Sequence, residues 1–323
     1  MSRKILVTEP IHDEVLEYLR KNADVTIGTR GEFNTEESLL GPVKQFDAIL
    51  SMLSNPFTRN VLEKAEKLKI VANYAVGYDN IDVRAAADLG IRVANTPGAL
   101  TDATADLTLS LLLTVSRRIC DAQQFLRDGK FDGWHPLGFL GMDLKGKNLG
   151  IVGMGRIGQA IAKRAKAFGV NIHYHNRKPV ASDIERSLEA AYEADVKKMV
   201  LSSDILVLSC PLTPETRHLI DSDMLNLMPD HALLINISRG PVVDEQALAS
   251  ALHSGSIGGA GLDVFEEEPK VHPDLLTAPN TVITPHIGSA ASETRRAMGY
   301  LAANAIFDTF DGKPAESIGN LVT

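Results

Sequence analysis

Residues 149–158 read L-G-I-V-G-M-G-R-I-G, a short apolar strand running into Gly153, Gly155 and Gly158 with a helical pattern beyond. The spacing is that of a dinucleotide-binding turn. Gly153 permits the tight turn, Gly155 lets the backbone approach a pyrophosphate with no Cβ in the way, and Gly158 lets the helix pack close to its strand. The pyrophosphate then rests on free N–H groups at the positive end of the helix. Three glycines alone are a weak signal, and their surroundings carry the reading. An apolar strand stands immediately before them, residues 159–168 are rich in Ala, Ile and Lys at helical spacing, and a second strand over 170–175 follows at the distance a βαβ unit requires.

On the amino-terminal side, strand patterns at 4–8, 24–28, 46–51 and 68–73 alternate with helical ones at 11–20 and 58–67. A further helix at 82–89 and strand at 91–95 end at Thr96-Pro97-Gly98. Such alternation builds a parallel sheet covered on both faces, and the Pro-Gly breaker marks a domain boundary. Residues 102–126 follow as one long helix. Its centre, 107–115, is so apolar that it must be buried, between domains or between subunits. After the glycine turn, strands recur at 205–209, 232–237, 259–264 and 281–284, a second doubly wound sheet, and the helix over 290–311 is expected to return to the first domain. The expected fold class is α/β with two doubly wound parallel-sheet domains. A flavodoxin-like substrate domain takes residues 1–98 and 291–323, a Rossmann cofactor domain takes 99–290, and an active-site cleft is expected between them.

At 323 residues the chain is long for one compact core. A hydrophobic share of 44% with 23% charged residues is ordinary for a soluble globular protein. The net charge of −8 argues against nucleic acid or an anionic membrane as the main partner, since both need clustered positive charge. Cys120 and Cys210, the two cysteines, are far apart, so two buried thiols in a reducing compartment are expected rather than a disulfide framework. No apolar run reaches the ~20 residues of a membrane span. Residues 1–8 have no signal-peptide layout and residues 319–323 match no targeting address, so the expected location is the cytoplasm.

Polar residues at the carboxyl ends of strands are the candidates for chemistry, because loops there form the sites of such sheets. Arg239 follows the apolar strand 232–237 in I-N-I-S-R-G-P. A guanidinium there either clamps a carboxylate through two parallel hydrogen bonds or makes a surface ion pair. Glu268, in E-E-E-P, and His286, in T-P-H-I-G-S, lie in loops ending successive strands. A carboxylate beside an imidazole orients it and favours its protonated form, an acid near neutral pH. Glu266 and Glu267 are equally acidic, and spacing does not choose among the three. His173 and His175 share one strand face, yet no cysteine or carboxylate cluster accompanies them, and no metal site is expected. His135, His218 and His231 read as surface or loop residues.

Several motifs stand in one order along nearly the whole chain: V-A-N-Y-A-V-G-Y-D-N-I-D at 71–82, T-P-G-A-L-T-D-A-T-A-D at 96–106, the glycine turn, C-P-L-T-P-E-T at 210–216, I-N-I-S-R-G at 235–240, G-L-D-V-F-E-E-E-P at 261–269 and P-H-I-G-S-A at 285–290. By these motifs the chain resembles the D-2-hydroxyacid dehydrogenases, in the branch of glyoxylate and hydroxypyruvate reductases. The resemblance implies that Arg239 anchors a substrate carboxylate and polarises the keto oxygen, with the N–H groups of Val76 and Gly77 completing the cradle and Ser289 beside it. His286 is implied to protonate the oxygen as hydride arrives at carbon, and Glu268, the acid just before Pro269, to pair with His286. Asp263 resembles the residue that holds the nicotinamide amide. Thr104, Arg156, Ile157, Cys210, Pro211, Leu212, Ile237, Ser238, His286 and Gly288 fall on cofactor-contact positions together with the three glycines. The implied reaction is reduction of a small 2-oxo acid, glyoxylate to glycolate or hydroxypyruvate to D-glycerate, which needs an anion clamp, a proton donor and a hydride beside one carbonyl carbon.

Departures from related patterns narrow the substrate. Glu268 stands where formate dehydrogenases of this superfamily carry glutamine, and Val76 where phosphite dehydrogenases carry lysine. The long C-terminal regulatory domain of many phosphoglycerate dehydrogenases is not expected, and lactate-type enzymes usually lack the 96–106 segment. Two rival readings stay open. One is a dehydrogenase of another D-2-hydroxy acid, such as 2-ketogluconate, D-glycerate or D-lactate; the other is a non-enzymatic, NAD(H)-sensing corepressor that binds protein partners. An acid closing the second strand takes the ribose hydroxyls in NAD-specific folds and repels a 2′-phosphate. This chain has Asn176 there, followed by Arg177 and Lys178, so NADP(H) is expected to be favoured and NAD(H) accepted. Trp134, the only tryptophan, lies in F-D-G-W-H-P-L-G-F-L-G and needs somewhere to bury a large ring. Its ring packs against its own subunit, or, as the W-x-P-L segment of similar reductases implies, reaches across a homodimer into the neighbour's substrate pocket, with the stretch 107–115 then calling for a partner surface.

Overall fold

The computed structural model describes residues 3–322; Met1, Ser2 and Thr323, which belong to the terminal segments 1–8 and 319–323, lie outside them. The chain divides into two compact units, Met1–Leu100 with Ser289–Thr323, and Thr101–Gly288. The sequence breaks after residues 98 and 290 lie within two residues of these divisions.

In the first unit, short apolar runs form β1 (Lys4–Val7), β2 (Asp24–Ile27), β3 (Ala48–Ser51), β4 (Ile70–Asn73) and β5 (Arg92–Ala94). They pair in parallel in the order β2-β1-β3-β4-β5, the flavodoxin-like order. β3 and β4 are buried along their whole length, as strands covered by helices on both faces must be. The helix Ser292–Phe310 packs on β4 and on the helix Asp13–Arg20, burying Met298, Ala302, Ala303 and Ile306, so the carboxyl-terminal segment completes this unit's core.

The second unit contains β6 (Asn148–Val152), β7 (Asn171–His175), β8 (Ala190–Tyr192), β9 (Ile205–Leu208), β10 (Leu233–Asn236), β11 (Gly259–Leu262) and β12 (Thr281–Ile283). All are parallel, in the order β12-β11-β10-β9-β6-β7-β8. The chain order reverses between β6 and β9, and ligands of such sheets bind outside the carboxyl ends of the strands at that point. β8 escaped the sequence reading because A-A-Y is too short, and too exposed at its edge, to show alternation.

Three expectations are corrected. The stretch 102–126 is two helices, Thr101–Ser116 and Ile119–Arg127, broken at Arg118, whose backbone is left-handed with φ +51°. The apolar stretch 107–115 needs no partner surface. Leu109, Leu111, Leu112 and Val115 pack with Ile151, Ile161 and Ile235 inside the unit's own core, because the helix lies on β10 and β11 and against the helix Arg156–Ala165. Of the two thiols, Cys210 is buried, with its pKa pushed up to about 11 by burial, but Cys120 is exposed on the helix Ile119–Arg127. No helix among the described residues is long and apolar enough to cross a membrane.

Candidate active site

β6 ends at Val152 and the chain turns at Gly153, where φ is +98° and a Cβ would come within 2.7 Å of the Ser209 and Cys210 backbone. Glycine alone tolerates that combination. The Met154 N–H donates to Asn176 Oδ1 at 2.8 Å, so the residue that closes β7 braces the turn. Gly155 caps the helix Arg156–Ala165 with no side-chain partner, and nothing stands within 4 Å of where its Cβ would lie. The first-turn N–H groups of Arg156, Ile157 and Gly158 have no intrahelical acceptor, and they fit the pyrophosphate of a dinucleotide. Gly158 lies directly on the turn, 2.2 Å separating its ideal Cβ from Gly153 O.

The other residues implied for the cofactor surround this turn at strand ends. Cys210, Pro211 and Leu212 follow β9, and the buried Ile237 and Ser238 follow β10. Thr104 is buried with its side chain 3.5 Å from the Cβ position of Gly288. Arg177 and Lys178 are exposed beyond β7. The Thr213 hydroxyl, and to a lesser extent the Arg177 charge, hold the Glu215 carboxyl below its ordinary range.

Arg239, Glu268 and His286 come from the loops after β10, β11 and β12. His286 Nδ1 lies 2.8 Å from Glu268 Oε2, which orients the ring and leaves Nε2 without a partner among the described residues. Glu268 Oε1 accepts the Phe265 N–H at 3.1 Å. Burial pushes the Glu268 carboxyl up, but the hydrogen bond and charge of His286, the Phe265 N–H and the Arg239 charge outweigh it and hold the group below the usual carboxylate range. Arg239 Nη1 donates to Ser238 O at 2.8 Å. The loop it opens lies on the loop that carries Glu268: a Cβ on Gly240 would stand 1.8 Å from the Phe265 carbonyl carbon. The two neighbouring acids differ in their surroundings. Glu266 pairs with His218 and Arg217 and accepts the Glu245 N–H, while Glu267 is exposed.

The His286 loop has a support that sequence reasoning missed. His286 adopts φ +53°, a left-handed conformation costly for a side chain with a Cβ. The His286 N–H donates to Asp263 O at 2.9 Å, and the Ile287 and Gly288 N–H groups donate to Asp263 Oδ1 and Oδ2, each at 2.7 Å. Thr284 Oγ1 donates to Asp263 Oδ1 at 2.6 Å. Burial raises the Asp263 carboxyl above its ordinary value even against these donors. Both oxygens of the residue implied to hold the nicotinamide amide are therefore engaged with the loop that carries His286. The signal was an aspartate closing a fully buried strand, a place where a carboxylate needs donors.

In the other unit, the turn after β4 carries Val76 and Gly77. Asn95 Nδ2 donates to Val76 O at 2.7 Å and Asn73 Nδ2 to Gly77 O at 2.8 Å, so both carbonyls are taken. The N–H groups of Val76 and Gly77 have no acceptor among the described residues. The Ser289 carbonyl accepts Arg295 Nε at 3.2 Å. Trp134 is 83% exposed in the loop after the helix Ile119–Arg127, which overturns the reading that buries its ring in its own subunit. A glycine-rich loop offers no wall to pack it on, and Leu137 stands 80% exposed beside it.

A seven-stranded dinucleotide-binding unit with a paired carboxylate and imidazole at its strand ends defines an NAD(P)-dependent oxidoreductase. Residues 109–288 match the family model described as D-isomer specific 2-hydroxyacid dehydrogenase, NAD binding domain, and the chain belongs to that family. It is 46% identical over 326 residues to the glyoxylate reductase of Thermococcus litoralis, covering 99% of this chain and 97% of that one. To the glyoxylate reductase of Pyrococcus horikoshii it is 47% identical over 307 residues, covering 94% and 91%. The crystal structure of an NADPH-dependent glyoxylate/hydroxypyruvate reductase from Sinorhizobium meliloti, in complex with NADP and malonate, is similar with a TM-score of 0.88 at 36% identity, covering 100% of this chain and 97% of that one.

Proposed function

We propose that this chain reduces glyoxylate to glycolate and hydroxypyruvate to D-glycerate, with NADPH favoured over NADH. The observation that carries the reading is the His286 Nδ1 to Glu268 Oε2 contact of 2.8 Å, with Nε2 unpartnered and the Arg239 charge close by. Arg239 clamps the carboxylate of the 2-oxo acid and polarises its keto oxygen. In the other unit, the Val76 and Gly77 N–H groups, without an acceptor among the described residues, and Ser289 are the candidates for anion binding. Protonated His286, oriented by Glu268, gives its Nε2 proton to the keto oxygen as the carbonyl carbon becomes tetrahedral. The bound dihydronicotinamide supplies the hydride. The C=O π bond is thereby exchanged for one C–H and one O–H bond, the 2-hydroxy acid leaves, and the imidazole takes its next proton from solvent.

The glycine turn, with Arg156, Ile157 and the strand-end residues from Thr104 to Gly288, holds the cofactor. Asn176 carries no charge to repel a 2′-phosphate, and Arg177 and Lys178 stand beside it, which supports the NADPH preference. The exposed ring of Trp134 supports a homodimer in which Trp134 borders the neighbour's substrate pocket and helps select a hydroxymethyl-bearing substrate. The exposed Cys120 thiol suits a reducing compartment, and we place the enzyme in the cytoplasm.

A panel of 2-oxo acids assayed with NADPH and NADH tests this. Steady cofactor oxidation with glyoxylate and hydroxypyruvate is expected. No oxidation with any keto acid would overturn the enzyme reading in favour of an NAD(H)-binding protein of the corepressor kind. NADH bound at least about tenfold tighter than NADPH in direct titration, a difference of roughly 1.4 kcal/mol, would overturn the preference.

A further inference from the structure

Glu266, Glu267 and Glu268 stand in a row and have three different settings. Glu268 meets His286, Glu267 is exposed, and Glu266 is bound to the first residue of the helix Glu245–Ser254. The two glutamates at that junction hold each other's backbone. Glu245 Oε1 accepts the Glu266 N–H at 2.6 Å, and Glu266 Oε2 accepts the Glu245 N–H at 3.2 Å. The second bond also satisfies an N–H that a helix leaves unpaired in its first turn. Glu266 Oε1 lies against His218 Nε2, with Arg217 Nη2 at 3.7 Å. Glu245 is 6% exposed, and burial, helped by the Glu266 charge, raises its carboxyl above the ordinary value against the Glu266 N–H and the backbone of His272. A carboxyl in such a place is costly, and an apolar side chain would fill the position without that cost.

The cluster joins the segments that carry the reacting groups. Phe265, whose N–H is accepted by Glu268 Oε1, is the chain neighbour of Glu266. On the other side, His218 adopts φ +49°, a left-handed conformation costly for a residue with a Cβ, and its N–H donates to Pro241 O at 2.8 Å. The Ile220 N–H donates to Val242 O at 3.1 Å, and the Asp244 N–H to Ile220 O at 3.0 Å. Residues 240–244, which begin next to Arg239, are thereby bound to 218–220, and through His218 to Glu266. Three segments, 218–220, 239–245 and 265–268, thus meet at one pair of carboxyl groups. The pair lies one residue from the Phe265 N–H that Glu268 holds, so a shift of Glu266 carries Glu268 with it.

We propose that Glu245 and Glu266 are positioning residues of the reductase, whose reciprocal bonds hold the loop 265–268 so that Glu268 stays on His286. The proposal rests on the reductase reading and adds the residues that place its acid pair. The test compares wild type, Glu245→Ala and Glu245→Gln in the full-length protein, with glyoxylate and NADPH. The amide oxygen of glutamine still accepts the Glu266 N–H, whereas alanine offers no acceptor. Glu245→Ala is expected to lower kcat about 10- to 100-fold, because a displacement of about 1 Å at a reacting group costs that much. Its alkaline limb in the pH–rate profile should move to lower pH, the direction expected when Glu268 no longer supports the protonated imidazole. The cofactor Kd should not change, and Glu245→Gln should recover most of the lost kcat. Glu266→Ala is expected to give the same limb shift and serves if Glu245→Ala does not fold. Hydrogen exchange followed by mass spectrometry reads the clamp without turnover: it should quicken over residues 264–269 in the alanine variants and stay unchanged over the glycine turn. A limb that stays in place, a glutamine variant as impaired as the alanine one, or unchanged exchange over 264–269 would each overturn the clamp. A wild type without turnover on glyoxylate would instead overturn the reductase reading, and the exchange measurement would still decide the clamp.

Discussion

The loop that carries His286 and the loop that carries Trp134 belong to the same unit and are built in opposite ways. Residues 284–288 are tied down by one buried residue: Asp263 accepts the N–H groups of His286, Ile287 and Gly288 and the Thr284 hydroxyl. Residues 131–140 have local hydrogen bonds, such as Gly138 N to His135 O at 3.1 Å and His135 to Asp132 at 2.8 Å, and are tied to the preceding helix through Phe139, whose ring packs edge-on against Phe125 at 5.2 Å. They leave Phe131, Trp134, Leu137 and Leu140 exposed, and Ile119 and Leu126 of the preceding helix are exposed too. The first loop is preorganised by its own chain, at the cost of a buried carboxylate and a left-handed histidine. The second presents apolar area that its own chain does not cover. In the proposed reading the first loop carries the proton donor and the second an apolar arm for recognition.

If that contrast holds, changes in the first loop act on turnover and changes in the second on selectivity and assembly. The largest effect is expected from His286→Ala, which should lower kcat by about 10³-fold, the usual worth of general acid catalysis. The cofactor Kd, read by fluorescence titration, should stay within a few fold. Near-native turnover would remove His286 as the proton donor.

Glu268→Gln comes next and acts through pH. The Glu268 carboxyl titrates below the usual carboxylate range, so the pair is intact above that range and is lost only as the pH falls through the depressed value. No acid limb from this group is therefore expected between pH ~5 and 7 in the wild type. At the alkaline side, losing the carboxylate removes its support for the protonated imidazole. The alkaline limb of the reduction profile is expected to move to lower pH. A limb that stays in place in a full pH–rate profile would show that Glu268 acts on orientation alone.

The smallest effect belongs to the exposed arm. Trp134→Ala is expected to change the hydroxypyruvate-to-glyoxylate ratio of kcat/KM by roughly three- to tenfold, since one apolar wall contributes about 1 kcal/mol to discrimination. Sedimentation should show a dimer in the wild type. A fully active monomer would break the assembly reading, and an unchanged ratio would break the reading that Trp134 selects substrate.

Much of the fold was legible because its signals are local. Apolar runs of four or five residues separated by helical spacing are enough for a parallel sheet covered on both faces, and β6 with its glycines is enough for the dinucleotide turn. The helix break at Arg118 was not legible, because the apolar spacing runs through it and the left-handed residue has no sequence mark. The buried setting of 107–115 was legible, but what buries it was not: apolar periodicity shows that a face is covered and says nothing of the element that covers it.

By itself the sequence determined the α/β class, the glycine turn, the strand ends on which Arg239, Glu268 and His286 stand, and the uncharged residue closing β7. All of these rest on spacing within one or two elements. Spacing left Glu266, Glu267 and Glu268 open and the resemblance pointed to Glu268; the tertiary structure brings Glu268 to His286 across 18 residues. It also decided that the Asp263 oxygens brace the His286 loop across 24 and 25 residues, and that Tyr74 meets the Arg295 backbone across 221. These contacts join loops whose paths are set by sheet order and packing, and periodicity along the chain carries no record of which distant loops come together.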